Sequence, residues 1–188
     1  MKGVIVRGFL LTMELMTLAA CSQNPATAPE KNTRAGFSSA DAASIGTSVL
    51  SMVELSDMYV SPEIYDLKVT VEEIVRGEKC GAHLKNLGAL NKQLADDSEY
   101  LLARVRFEYK ARGAPGNKTW ELSGTQFNAY SADSKPYENP FIVMPQSGLI
   151  PSLRSGDVAE CWLALLVGKN DRKPIMTFTP GGVWFRLY

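Results

Sequence analysis

The stretch ARVRFEYK, residues 103–110, alternates strictly between apolar and charged side chains. Successive side chains of a β-strand point to opposite faces, so the four apolar residues would share one buried face and the four charged residues a solvated one. A helix would instead scatter these residues around its circumference. The stretch therefore predicts a strand that is half buried in an antiparallel sheet, with charged cross-strand partners on the solvated side.

Neighbouring runs carry related patterns. Residues 67–72 (LKVTVE) also alternate, whereas residues 160–167 (ECWLALLV) are apolar on both faces, as expected of a central strand. A weaker strand is predicted at 125–130, and two more at 175–179 and 183–187 are joined by the hairpin-type sequence Pro180–Gly182. Many short strands separated by Gly, Pro, Asn and Asp predict an all-β fold, an antiparallel sandwich.

One segment has helical periodicity instead. In CGAHLKNLGALNKQL, residues 80–94, leucines recur at positions 84, 87, 90 and 94, which would place them on one stripe of a helix. Gly88 weakens this pattern. We expect a short helix near residues 82–94 that crosses between the sheets.

The N-terminal residues have the pattern of an export signal. Residues 1–20 combine the basic Lys2 and Arg7 with an apolar segment and end in Leu18-Ala19-Ala20, followed by Cys21. The run is too short for a transmembrane helix. It resembles the bacterial lipobox, in which the cysteine is lipidated and becomes the first mature residue. Glu14, inside the apolar segment, leaves open an amphipathic N-terminal helix with a buried Cys21.

The next segment, residues 21–44, is rich in Ser, Ala, Pro, Asn and Thr and has few large apolar residues. Such a composition predicts a flexible tether, and we expect the folded domain to span residues 45–188. Signal, lipid, tether and domain together predict a lipoprotein held by acyl chains on a bacterial membrane, facing outside the cytoplasm. The 20 basic and 20 acidic side chains cancel, so no nucleic acid partner is expected.

Four stretches together resemble one family of domains. They are residues 67–77 (LKVTVEEIVRG), 99–106 (EYLLARVR), 153–163 (LRSGDVAECWL) and 184–187 (WFRL). In order and spacing they look like an immunoglobulin-like domain of unknown function found on lipoproteins of Gram-positive bacteria, some of which are labelled after telomeric repeat-binding factor 2. The domain is similar in fold to the mycobacterial immunoprotective extracellular proteins. The resemblance implies an immunoglobulin-like sandwich without known catalytic residues; Cys161 stands where the family usually has Gly.

Few residues are available for chemistry. If Cys21 is lipidated, Cys80 and Cys161 remain as a candidate structural disulfide, with two separate buried thiols as the alternative. His83 is the single histidine, and no metal-ligand cluster or nucleophile motif accompanies it, so we expect no cofactor and no metal. Glu72 and Glu73 are adjacent on a strand and would point to opposite faces, so they should not share one site.

The sequence therefore favours a non-enzymatic module that binds a protein or cell-envelope partner through its loops. The candidate binding residues are Trp120, expected to be exposed, and Tyr137, in the loops 112–120 and 131–145. One alternative is an extracytoplasmic hydrolase that uses His83 with a carboxylate. A second is a purely structural envelope domain, which would show an exposed apolar patch and no pocket.

Overall fold

The computed structural model describes residues 34–56, 61–86, 96–138, 141–143 and 152–188. These residues form ten strands, one α-helix and two 3₁₀ turns. In chain order the elements are β1 (Ser48–Leu55), β2 (Glu63–Arg76), α1 (Glu78–Asn86), β3 (Ser98–Ala111), β4 (Trp120–Glu121), a 3₁₀ turn (Gly124–Gln126), β5 (Phe127–Tyr130), β6 (Phe141–Val143), β7 (Ser152–Leu153), β8 (Val158–Gly168), β9 (Ile175–Phe178), a second 3₁₀ turn (Thr179–Gly181) and β10 (Val183–Arg186).

The strands form two main sheets and a short ribbon, and every strand pair is antiparallel. The large sheet has the order β1-β2-β3-β8-β6, the small sheet has the order β10-β9-β5, and β4 pairs with β7. Phe107 of β3 meets Phe127 of β5 and Phe178 of β9, with ring centroids 6.1 and 6.0 Å apart, so the two sheets pack face to face. The predicted all-β sandwich is confirmed; its immunoglobulin-like topology stays a prediction.

The alternating stretch lies in β3 and behaves as predicted. Its apolar residues at 103, 105, 107 and 109 are buried, whereas Arg104, Arg106 and Glu108 are half buried and Lys110 is exposed. Burying a large apolar side chain contributes about 1.5–3 kcal/mol, so this one face supplies a large part of the main core between the sheets. Charged pairs across the other face include Lys68 with Glu108 at 3.0 Å.

Strand β8 is central, as its apolar sequence predicts, because it pairs with β3 on one side and β6 on the other. Its odd-numbered residues from 161 to 167 face the main core. Its even-numbered residues Trp162 and Ala164 face outward, where they join a second cluster. This outer cluster consists of Cys80, Leu84, Tyr100, Leu102, Trp162 and Ala164, with Val75 and Leu166 packed against it.

Helix α1 covers the outer cluster. It begins at Glu78, four residues before the predicted start, and places Cys80 and Leu84 against the large sheet. The acidic Glu78 in the first turn complements the positive end of the helix dipole. The other predicted leucines, 87, 90 and 94, lie outside the described residues.

The chain before β1 is part of the domain from Arg34 onward, although its composition predicts a tether up to residue 44. Ala43 forms a parallel bridge with Phe185 of β10, and the Trp184 N–H donates to the Gly36 carbonyl at 2.7 Å. Gly36 has φ +91°, and a Cβ there would lie 2.5 Å from Val49 Cγ2. Small side chains let the main chain of this segment approach the sheet closely. Main-chain hydrogen bonds to β10, and not the burial of large apolar side chains, therefore hold the segment in place.

Candidate functional site

A buried pair of tyrosines organises one end of the sandwich, where β1 ends, β2 begins and β3 ends. Tyr65 of β2 and Tyr109 of β3 are stacked, with ring centroids 4.6 Å apart and planes 10° apart. The Tyr65 hydroxyl donates to the Glu63 carboxylate, two residues earlier on the same face of the strand. Burial raises the pKa of both tyrosines, and the neighbouring Glu63 raises that of Tyr65 further. Both hydroxyls therefore stay protonated at neutral pH.

The tyrosines hold the main chain of Lys118 from both sides. The Lys118 N–H donates to the Tyr65 hydroxyl at 2.9 Å, and the Tyr109 hydroxyl donates to the Lys118 carbonyl at 3.3 Å. The Lys118 ammonium donates to the Leu55 carbonyl at the end of β1, at 3.3 Å. Residues 112–119, the part of the predicted binding loop 112–120 that precedes β4, are thus fixed to the ends of three strands.

Two clefts flank this loop; we call this surface the loop end, formed by residues 54–56, 61–64 and 112–119. The first cleft has a volume of about 330 Å³ and is lined by Ser61, Pro62, Glu63, Ile64 and residues 112–115. The second, of about 510 Å³, is lined by residues 54–56 and 117–119. Arg112 beside the first cleft is paired with Asp66 at 2.6 Å. The described lining residues of both clefts include no histidine or cysteine.

Trp120 is not the exposed binding residue that the sequence predicts. Only 9% of it is exposed, and it packs against Phe178 with ring centroids 6.4 Å apart. Its position in β4, opposite Leu153 of β7, turns the indole into the main core. The Trp120 Nε1 has no hydrogen-bond partner among the described residues. The indole therefore contributes packing and not a surface contact.

Tyr137 fastens its loop to the sandwich and does not project from it. Its hydroxyl donates to Asp171 Oδ2 at 2.7 Å, and its N–H donates to the Ala129 carbonyl at 2.8 Å. Burial, followed by the hydrogen bond to Asp171, raises the pKa of Tyr137 to about 12. The part of this loop beyond residue 138 lies outside the described residues, apart from 141–143 in β6.

The candidate disulfide is absent, because Cys80 and Cys161 are free and buried on opposite faces of the large sheet. Cys161 belongs to the main core, whereas Cys80 of α1 belongs to the outer cluster. Burial raises the pKa of Cys80 to about 11 and that of Cys161 to about 12. Both side chains are therefore protonated thiols that pack as small apolar groups.

His83 lies on the outer face of the large sheet, beside Trp162, with ring centroids 5.3 Å apart. The Arg104 guanidinium lies 6.0 Å from the same indole. A hydrolase using His83 would need a carboxylate within hydrogen-bond reach. Within the described part of the chain His83 packs on the indole of Trp162, and no carboxylate there is hydrogen-bonded to it.

Arg104 contacts two carboxylates that the sequence pattern did not predict to lie together. Glu72 and Glu73 both lie 3.4 Å from this guanidinium, although adjacent strand residues were expected to diverge. A β-bulge between Val71 and Glu73 inserts Glu72 as an extra residue, which brings both carboxylates to the outer face. The alternating pattern up to residue 72 carries no sign of this bulge. The group is a paired charge cluster on the sheet surface.

The lipidation residue Cys21 lies outside the described residues, as does the leader 1–20. The described part of the chain holds no helix with the length and hydropathy needed to cross a bilayer. Within the same part, no three His, Cys, Asp or Glu side chains are grouped so that they could hold a metal ion.

No protein-family profile and no curated protein matches the chain. Solved structures similar to it include two from Bacillus subtilis. The yjhA protein has 14% sequence identity and a TM-score of 0.46, over 73% of this chain and 80% of that chain. A protein described as "a putative lipoprotein (ycdA)" has 14% identity and a TM-score of 0.41, over 64% of this chain and 35% of that chain. Likenesses of this degree leave the function to be argued from the residues themselves.

Proposed function

We propose that this chain is a lipid-anchored, non-enzymatic protein of the bacterial cell envelope, whose immunoglobulin-like sandwich binds a partner outside the cytoplasm through its loop end. The observation that carries the proposal is the fixed loop 112–119 between two open clefts. A loop held in one shape loses little conformational freedom when it binds, which favours recognition of a partner surface.

The anchor is supported by the sequence at Cys21. Thirteen residue steps separate Cys21 from Arg34 (34 − 21 = 13), so a lipid on Cys21 would hold the start of the described domain within about 45 Å of the membrane surface. Residues 34–44, which composition assigns to the tether, lie in the described domain, so the proposed tether has eleven residues fewer than composition predicts. The proposed binding therefore takes place close to the membrane.

A binding role is supported further by what surrounds the clefts. Glu63 is 9% exposed, and its partner is the neutral Tyr65 hydroxyl, while the ion pair of Arg112 with Asp66 lies at the rim of the same cleft. These groups suit polar recognition of a peptide or protein segment, with Pro62 and Pro115 as apolar walls. The hydrolase alternative is less well supported, because His83 lies on a different surface, beside Trp162.

The test uses the full-length protein with a C-terminal tag in a bacterial membrane fraction, followed by chemical crosslinking and recovery of the tag. Ser61→Arg and Thr119→Arg each place a bulky cation in one cleft, and both positions are exposed, so the fold should tolerate them. We expect one or both variants to lose the crosslinked partner that the unmodified protein recovers.

Asn170→Arg is the matched control. Asn170 is exposed in the turn after β8, at the opposite end of the large sheet from residues 112–119. The proposal predicts that this variant recovers the partner as well as the unmodified protein does. Equal loss in all three variants, or no partner recovered by the unmodified protein, would contradict binding through the loop end.

A further inference from the structure

The edges of the small sheet are covered by main chain. At β10, the Ala43 N–H donates to the Trp184 carbonyl and the Arg186 N–H donates to the Ala43 carbonyl, both at 2.8 Å. At β5, the Tyr137 N–H donates to the Ala129 carbonyl, also at 2.8 Å. Covering an edge in this way removes the unpaired backbone groups that would otherwise recruit another strand.

Strand β1 of the large sheet is different. It pairs with β2 over eight consecutive residues without a bulge. Among the described residues, no backbone–backbone hydrogen bond outside this ladder involves Ser48–Leu55. The sequence SVLSMVEL contains none of the Lys, Pro or bulge features that commonly protect an edge. Two side-chain hydrogen bonds involve this strand: the Lys118 ammonium donates to the Leu55 carbonyl, and the inward-facing Ser51 hydroxyl donates to the Gly181 carbonyl at 2.9 Å. Within the described part of the chain the edge is otherwise open, over about 27 Å at 3.4 Å per residue.

The outer face beside this edge is apolar. Leu50 is 52% exposed and Met52 is 57% exposed, and Ile64 of the neighbouring β2 is 47% exposed. The adjacent charges are already neutralised within the chain, since Lys68 pairs with Glu108 and Asp66 with Arg112. Glu54 is the one acidic residue of β1. An apolar strip along an open strand indicates an interaction surface.

We propose that β1 pairs with β1 of a second copy of this chain, antiparallel about a two-fold axis at Ser51, so that two large sheets join into one. This interface lies along the outer edge of β1 and goes beyond the loop-end binding proposed above. In this register Leu50 faces Met52 of the second copy, and Val49 faces Val53. A two-fold interface requires such self-complementarity, because the same residues serve both sides.

The charge of Glu54 favours this register over the one with its axis at Met52. Pairing about Ser51 sets Glu54 opposite Ser48. The Ser48 hydroxyl shares a hydrogen bond of 2.8 Å with the Thr70 hydroxyl, and when Thr70 is the donor there, Ser48 can donate to the carboxylate. Moving the axis one residue, to Met52, sets Glu54 opposite the apolar Leu50. An axis midway between two residues would set inward-facing residues opposite outward-facing ones. The alternation of side chains along a strand forbids that pairing. If both copies carry a lipid on Cys21, the shared membrane raises their effective concentration.

The test places cysteines in the full-length protein and oxidises the membrane fraction with copper phenanthroline. Leu50→Cys with Met52→Cys in one chain should give a band of twice the mass on a non-reducing gel, as should Ser48→Cys with Glu54→Cys. Ser48→Cys with Leu50→Cys should give far less, because those positions do not face each other. The unmodified chain controls for its own three cysteines.

A charge series separates this pairing from other occupants of the strip. Leu50→Lys with Met52→Lys opposes like charges and should weaken the dimer by about tenfold or more. Leu50→Lys with Met52→Glu opposes unlike charges and should restore the dimer. Leu50 and Met52 are both exposed, so the thermal midpoints of these variants should stay close to that of the unmodified chain.

The register proposal fails if the three cysteine pairs crosslink equally, if no dimer band forms, or if the Lys/Glu variant stays as monomeric as the Lys/Lys variant. An extended peptide from another protein on β1 would appear as a crosslinked band whose mass is not twice that of the chain, and it would overturn the proposal. Glu54 belongs to both surfaces, but the Leu50 and Met52 variants lie outside the loop end, and none of their results depends on Ser61 or Thr119. Failure of the pairing at Leu50 and Met52 is therefore distinguishable from failure of the loop-end function.

Discussion

Tyr65 and Tyr109 stack at the end of the large sheet with ring centroids 4.6 Å apart, and their hydroxyls hold the two backbone groups of Lys118. The pair connects the core to the loop proposed to bind. The rings supply apolar burial, and the hydroxyls satisfy main-chain groups that lie away from water. Removing either hydroxyl separates these two contributions.

Tyr65→Phe should destabilise the protein by about 2 kcal/mol, because it leaves the Glu63 carboxylate and the Lys118 N–H without their recorded partner. Urea denaturation followed by tryptophan fluorescence measures the change in the free energy of unfolding. Tyr109→Phe is the control and should cost about 1 kcal/mol or less, because it removes one long hydrogen bond of 3.3 Å. Equal costs for the two variants would show that the two hydrogen bonds of Tyr65 contribute no more than the one of Tyr109 to the Lys118 carbonyl.

Arg76 and Glu99 form an ion pair at 2.6 Å whose side chains are only 25% and 19% exposed. Arg76 also donates to the Asp171 carbonyl at 2.8 Å, so it joins β2 and β3 to the turn after β8. Glu99→Gln removes the charge and leaves the guanidinium partly uncompensated, which should cost about 1–2 kcal/mol.

The control for this pair is Lys135→Ala. Lys135 and Asp133 lie 3.2 Å apart, but their side chains are 79% and 67% exposed, and solvent screens such pairs. Thermal denaturation should show no measurable change for this variant. A larger effect of Lys135→Ala than of Glu99→Gln would contradict the role of burial in these ion pairs.

Acid should remove the contribution that the ion pair between Lys68 and Glu108 makes to the free energy of unfolding. The hydrogen bond from Lys68 lowers the pKa of Glu108 below its ordinary value of 4.5. A carboxyl group with a lowered folded-state pKa stabilises the protein above its unfolded pKa and loses that contribution as the pH falls through the folded value. Both side chains are more than a third exposed, so the contribution at neutral pH is below about 1 kcal/mol.

The variant Lys68→Met tests this pH dependence. Its stability should fall below that of the unmodified protein at pH 7, and the difference should disappear in the acid range below the ordinary pKa of Glu108. Urea denaturation at several pH values measures the difference. A gap between the two proteins that stays constant down to low pH would show that Lys68 acts through packing alone.

The two buried thiols should resist alkylation in the native protein. Their pKa values of about 11 and about 12 leave little thiolate at pH 8, and the side chains are shielded from solvent. Iodoacetamide should modify Cys80 and Cys161 in urea without any reductant, which peptide mass spectrometry detects. Modification that requires prior reduction would instead reveal a disulfide.

The features that could be predicted from sequence are those that depend on the apolar and polar pattern within a single strand or turn. Residues 103–110 alternate because one face of β3 is buried and the other is wet. Residues 160–167 do not alternate because α1 covers the outer face that β8 would otherwise expose. The hairpin at Pro180–Gly182 is likewise local, since Gly182 takes a left-handed φ of +61°.

The features that could not be predicted depend on distant partners. Trp120 is buried because a two-residue strand pairs with Leu153, more than thirty residues away. Cys80 and Cys161 cannot bond because α1 packs on the outer face, and the sequence does not show which face a helix covers. Residues 34–44 join the domain through main-chain bonds to β10, and composition does not report such bonds.

The proposed anchor is a lipid on Cys21 that holds this sandwich on a membrane. Intact-mass measurement of the protein extracted from bacterial membranes tests it most directly. We expect a chain that begins at Cys21 and is heavier than its sequence by a diacylglyceryl group with or without a further acyl chain. A chain that retains Met1 and the leader, with an unmodified thiol at Cys21, would contradict it.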